Sequence, residues 1–525
     1  MKRMWSSVGL VGLVTLLAMA LAATPLVFAK GEGGFVIKTE DGNTFRFGGQ
    51  MRMIPTTEKN WDFGLGATAL GDFRSHRVEP GTVARSYIRT EARLYFNAED
   101  ADGKWDFYSA LEYDSVVDQT EVDNRGRDYG LERLHGSVAI PGLEQVRFHA
   151  GWDMYYLDVV TAGAGFIYGD DDPGFWFTGD FDSIEFQVGY HKKFEDNWLS
   201  KDETEFGSVT QASVKGDEDR DIYDVMIKYN FDDANWLKIM GALDVMKTRS
   251  TTVFGSTNKG ADVETYRVGA LYKGKLGILE PEAEFVYQGG EANNAENEFG
   301  TDLGDFDIKA YAAYADVAVN LTDMIGFKVI PHVGFMYLSG DDDADDNDLE
   351  GYCAVANAQR FTPRFGGEDT IIGDQNTLLG TNVYGYVPEL YGNLGGTVAS
   401  GGVATGGIGN GAAGGRGDNP GMTMYGGGIT IEPVEYISYR TNFMWFEWNE
   451  DFAVNTGAGD VQIDSGTAGQ QWSNSLRVSL NKHVHIFGNA TLFWPGDAVK
   501  DVTEAYGNRS DKVAQRYAVV LMWRF

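Results

Sequence analysis

Seven histidines, one cysteine and one acidic run are the groups in this 525-residue chain from which chemistry could be assembled. His483 and His485 stand two apart, a spacing that puts both imidazoles on one face of a strand. Zinc needs four ligands, and the neighbours of this pair include no further His or Cys. His76, His135, His149, His191 and His332 are scattered, most of them on the polar side of alternating segments. Cys353 has no base or orienting group beside it, as a thiolate nucleophile requires. Nucleophile-elbow, phosphate-cradling and metalloprotease motifs are missing from the sequence. Asp341–Glu350 carries seven acids in ten residues. Asp341, Asp343 and Asp345 are the candidate calcium ligands, because hard cations take carboxylate oxygens. An EF-hand loop counted from Asp343 would need glycine where Asp348 stands, so a solvated loop tip is the favoured reading. The expectation is a protein that is no enzyme and needs no cofactor.

The arginines follow a clearer pattern. Arg85, Tyr87, Arg89, Glu91 and Arg93 alternate with Ile88, Ala92, Leu94 and Phe96. A strand of that period shows charge on one face and apolar groups on the other. Arg46, Arg52, Arg133 and Arg147 hold the same polar parity in neighbouring segments. Any one of them reads as a salt-bridge partner, for instance of Glu91. As a group the seven read as a basic arc lining an aqueous pore.

The elements that position them repeat the two-residue period almost throughout. About 18 such segments can be counted, near 44–54, 84–98, 104–117, 130–141, 144–155, 174–181, 183–193, 221–232, 235–249, 263–274, 279–289, 305–321, 325–339, 422–432, 436–450, 471–481, 483–494 and 512–525. Their connections alternate long and short, the pattern of extracellular loops and periplasmic turns in a membrane barrel. The fold expected is all-β: a single closed antiparallel transmembrane β-barrel over residues 30–525, with about 18 strands and 16 as the alternative. Loop 156–173 is the third long connection. Loop 340–421 is the longest; it joins the acidic run to a segment, Gly392–Gly417, with twelve glycines in 26 residues.

Composition agrees. Lys+Arg number 43 against 77 Asp+Glu, a net charge of −34, which excludes the basic footprint of a nucleic-acid binder. One cysteine excludes a disulfide scaffold, and 43% hydrophobic residues exclude intrinsic disorder. Residues 1–29 read as a signal peptide: Lys2 and Arg3, an apolar Val8–Ala23, then Val27, Phe28 and Ala29 before the cut. The competing reading is an uncleaved anchor. Beyond residue 29 no apolar run is long enough for a spanning helix.

At the C-terminus Tyr517, Val519, Leu521, Trp523 and Phe525 share one parity and end in an aromatic residue. This is similar to the terminal-strand signal of Gram-negative outer-membrane proteins, which implies recognition by the barrel-assembly machinery. The chain resembles the general bacterial porins, in which the third loop folds into the lumen. That implies a constriction in which Asp158, Asp170, Asp171 and Asp172 face the arginine wall. Gly34–Glu40 and Phe45–Arg52 resemble the phosphate-selective porin O/P family, whose channels use basic residues at the constriction; here the third loop has none between Asp158 and Asp172. The implied partners are outer-membrane lipid and small hydrophilic solutes or ions, with a homotrimer implied by the family. The rival expectation is a structural or adhesive surface barrel whose acidic loops bind partners or divalent cations; an acyl-hydrolase is a distant third.

Overall fold

The structure, a computed structural model, describes residues 34–60, 63, 84–117, 130–158, 166–170, 172–195, 219–246, 250–253, 256–259, 262–296, 302–343, 346–357, 364–365, 420–455, 460–505 and 507–525. Residues 1–29, His76, Asp171, Asp345 and Gly392–Gly417 lie outside the described residues, as do the side chains of Arg85 and Asp170.

The alternating segments form strands. The first nine are β1 (Thr44–Lys59), β2 (Ala84–Glu99), β3 (Trp105–Val117), β4 (Gly130–Ile140), β5 (Leu143–Trp152), β6 (Gly174–Phe181), β7 (Ile184–Glu195), β8 (Asp219–Asn230) and β9 (Trp236–Met246). The second nine are β10 (Asp262–Lys273), β11 (Leu279–Glu296), β12 (Asp302–Val319), β13 (Lys328–Leu338), β14 (Met422–Val434), β15 (Ile437–Trp448), β16 (Gly466–Ser479), β17 (Val484–Pro495) and β18 (Ala514–Arg524). Each pairs antiparallel with the next, and β18 returns to β1 with Gln50 opposite Arg524. The sheet has 20 strands, of which Phe35–Lys38 and Asp348–Leu349 are short additions; the other 18 close the barrel. The 16-strand alternative is therefore excluded.

Closure satisfies every edge, which a sheet in lipid must do. The two faces differ as the alternation requires. On β8, Tyr223, Val225 and Ile227 are exposed outward, while Asp224 and Met226 between them are buried. Tyr266 and Val268 on β10 and Phe285 and Tyr287 on β11 continue the outer apolar surface around Arg267 and Glu284, which point in. Among the described residues no helix is long and apolar enough to cross a membrane. An even-numbered antiparallel barrel with an apolar, aromatic-rich outer face is the bacterial outer-membrane architecture.

Several strands run further than their pattern showed. β11 continues to Glu296 and β16 begins at Gly466. Past the lipid the outward positions turn polar, as at Glu291, so pairing persists where alternation fades. Loop 495–511 also holds a helix, Asp497–Ala505, with Ala498, Val499 and Val502 buried. Nine residues are too few for helical periodicity to stand out in the sequence.

The seam shows why glycine recurs near the chain ends. Gly49 and Phe525 exchange backbone hydrogen bonds of 3.0 Å each way. A Cβ on Gly49 would sit 2.5 Å from the Phe525 ring, so only glycine admits that contact.

Candidate pore and its lining

Arg46, Arg52, Arg89, Arg93, Arg133 and Arg147 all stand on the inner face of β1–β5, because each holds the parity opposite the lipid-facing residues. The same face supplies their counter-charges. Arg46 reaches Glu99 at 2.8 Å, and Arg147 reaches Asp106 at 2.9 Å. Glu91 takes both Arg52 and Arg89, each at 2.5 Å. Arg93 donates to Glu112 at 2.6 Å and meets Glu132 at 3.2 Å. Arg133 meets Glu132 at 3.2 Å and Asp153 at 3.8 Å. The sequence-derived basic arc is thus a ladder of alternating charge, with one acid or more beside each described arginine. Glu91 and Glu132 share a strand with Arg89 and Arg133, whereas Glu99, Glu112 and Asp106 reach their arginines from other strands, so a pattern read one strand at a time shows the arginines and misses several of their partners.

The third loop turns inward. Tyr155–Tyr156 pairs with Tyr168–Asp170, and Ala356–Asn357 from the longest loop joins in parallel beside Tyr168 and Gly169. Tyr352, Ala354 and Val355 are completely buried beside Phe166, Ile167 and Tyr168. Val355 donates its N–H to the Ile167 carbonyl at 2.9 Å, and Tyr352 donates its hydroxyl to the Phe166 carbonyl at 2.7 Å. Phe365 and inward residues of β8–β15, such as Met226, Met240, Leu271, Val286, Met336, Met424 and Met444, complete this apolar mass. Among the described residues no inward side chain of β1–β5 belongs to it. The inner face therefore has an apolar, loop-covered side and a charged side.

Asp158 lies on the covered side. Its carboxylate accepts the backbone N–H of Ile167 at 2.6 Å and of Tyr168 at 3.3 Å. Its charged neighbours are Glu284 of β11 and Lys238 of β9, so it meets that wall rather than the arginines. Burial raises the Asp158 carboxyl above its ordinary range, against the pull of those hydrogen bonds. Asp172 is buried and accepts the Tyr168 hydroxyl at 3.0 Å. Asp170 contributes its backbone to the pairing with Tyr155.

A cleft of about 730 Å³ opens along the inner face of β5–β8, lined by Gln145, Arg147, Thr178, Glu185, Gln187 and Met226. Above it, the His135 and His149 rings are joined by a 3.1 Å hydrogen bond, and both stack on Trp176. His332 bridges Asp316 at 2.8 Å and Asn442 at 3.0 Å. His483 and His485 are engaged by the Arg524 carbonyl and Ser479. Among the described residues no group of three or more His, Cys, Asp or Glu is arranged to hold a metal; Asp341 is buried, and Asp345 of the candidate calcium set is not described. Sequence reading passed over Arg220, Asp244, Arg267, Arg440 and Arg516, all buried inward-facing charges. The alternation that exposed Arg85–Arg93 was available for each, but single charges set among apolar residues form no visible row.

No protein-family model matches the chain, and no curated protein matches it in sequence. The similarity of Gly34–Glu40 and Phe45–Arg52 to the phosphate-selective porin O/P family thus finds no support. Among solved structures the chain is similar to OccK8 (OprE) of Pseudomonas aeruginosa, with TM-score 0.47 and 9% identity over 94% of this chain and 99% of that one. It is also similar to OpdO of Pseudomonas aeruginosa, with TM-score 0.47 and 10% identity over 92% and 97%. A BenF-like porin from Pseudomonas fluorescens Pf-5 gives TM-score 0.46 and 10% identity over 93% and 100%. The barrel assignment itself rests on the closed pairing of this chain's own strands.

Proposed function

We propose that this protein is a porin: a water-filled path for passive diffusion of small hydrophilic solutes or ions across the outer membrane. The observation that carries this reading is the charge ladder of β1–β5. Six arginines and their acids form a charged inner wall, and a polar, charge-lined interior is what a water-filled outer-membrane channel presents. A barrel of this strand number is wide enough to leave an aqueous lumen once its loops have entered. The cleft beside Arg147 supplies open space on that wall.

On this reading Arg46, Arg52, Arg85, Arg89, Arg93, Arg133 and Arg147 line the path, and the third loop narrows it from the opposite side. Asp158 and Asp172 shape that loop through their bonds to Ile167 and Tyr168. Residues 1–29 direct export, and the terminal strand ending in Phe525 is read by the assembly machinery. Reconstitution tests the reading: liposomes carrying the purified protein should swell in small sugars and not in large polymers.

A second reading has its own support. The apolar mass of Phe166, Tyr352, Phe365 and Met444 fills a large part of the interior. A structural or adhesive barrel needs no open lumen, and liposomes impermeable to every solute would favour it.

A further inference from the structure

Beneath the strap Tyr352–Val355, β10 and β11 carry two donors that nothing in the described chain accepts from. Arg267 and Gln288 are direct cross-strand partners on the inner face, and both are fully buried. Arg267 donates Nε–H to the Cys353 carbonyl and Nη1–H to Thr265 Oγ1, each at 3.0 Å. Gln288 accepts the Cys353 N–H at Oε1, also at 3.0 Å. That bond fixes the amide, because a flipped carboxamide would set N–H against N–H. Among the described residues Arg267 Nη2 and Gln288 Nε2 are left without a hydrogen-bond partner. Both side chains reach the same residue of the strap, so both spare donors end beside Cys353.

The charge there is also poorly matched. Asp244 is the carboxylate that approaches Arg267 among the described residues, at 4.0 Å. Its two oxygens are already held by Arg220, through Nε at 2.9 Å and Nη2 at 2.7 Å. A guanidinium does not give up its proton in a protein. A buried one needs acceptors to replace the water it has lost.

We propose that Arg267 and Gln288 form a buried binding site for one small anion of halide size. Two donors without partners among the described residues suit a ligand that only accepts. The guanidinium charge favours an anion over a water molecule. Complete burial of both side chains leaves no place for a ligand as large as a permeating solute. Bound there, the anion joins the strap to the wall by bridging β10 and β11 beside Cys353.

The test uses the full-length protein in detergent, unfolded by heat in sodium chloride and in sodium gluconate of equal ionic strength, so that screening is the same. Tm should rise with chloride and level off, as a ligand of the folded state requires. Gln288→Leu removes one donor at nearly constant volume. It should need about tenfold more chloride for the same rise, the effect of losing one charge-assisted bond. Crystals grown in bromide should show an anomalous peak within hydrogen-bond distance of Arg267 Nη2 and Gln288 Nε2. Equal Tm in the two salts would overturn the proposal. So would an unchanged chloride response in Gln288→Leu, or a carboxylate of this chain found where the anion should be.

Discussion

At the scale of single residues, the ladder on β1–β5 makes selectivity a matter of balance rather than of arginine count. Arg93 stands against Glu112 and Glu132 together. Replacing it with glutamine leaves two acids facing the lumen without it, so the reversal potential in a salt gradient should move toward cation preference. No movement would place Arg93 away from the ion path. Asp158 carries a different prediction. Its carboxyl is raised by burial, so the folded chain keeps that proton to higher pH than the unfolded chain does. This contribution to stability is present at low pH and is lost as pH rises from the ordinary carboxylate range toward the folded value. Asp158→Asn cannot ionise, and its Tm should fall less than that of the parent as pH rises above the ordinary carboxylate range of about 4. Parallel Tm profiles would show that Asp158 does not titrate as its burial requires. The arginines were legible from the sequence because they repeat along one strand. Asp158 was visible as a loop acid, but its partners Glu284 and Lys238 lie on strands far along the chain, and only closure of the barrel brings them together.

At the scale of elements, the strands were legible almost completely and the inner loops scarcely at all. Alternation reports which face is apolar, so all 18 barrel strands appeared, including Gly174–Phe181, whose pattern is the weakest. It reports nothing about a loop that folds back through the lumen. The one available sign was apolar residues on both parities, as in Phe443–Trp448, where Met444, Phe446 and Trp448 are buried inside while Trp445 faces out. The strap depends on few bonds. Tyr352→Phe removes the hydroxyl that holds the Phe166 carbonyl and should cost about 1 kcal/mol, measured as a lower unfolding midpoint in denaturant. The seam is stricter. Gly49→Val would force the Phe525 ring aside, and overpacking of this kind costs about 1–3 kcal/mol. The folded band on an unheated gel should then be lost at a lower temperature than for the parent chain; an unchanged temperature would mean that the seam tolerates a Cβ.

At the scale of the whole molecule, a net charge of −34 says little about what crosses the membrane. Asp341–Glu350 belongs to a loop, whereas the inner wall pairs its arginines with acids almost one for one. What the molecule presents is an asymmetry: an apolar, loop-filled side on β8–β15 and a charged side on β1–β5. The central claim is that water and small solutes pass along the charged side. Single-channel recording of the purified protein in planar bilayers tests it most directly. The account predicts stepwise conductance that scales with bulk electrolyte conductivity and changes its ion selectivity in Arg93→Gln. A folded barrel that inserts and passes no current would contradict it.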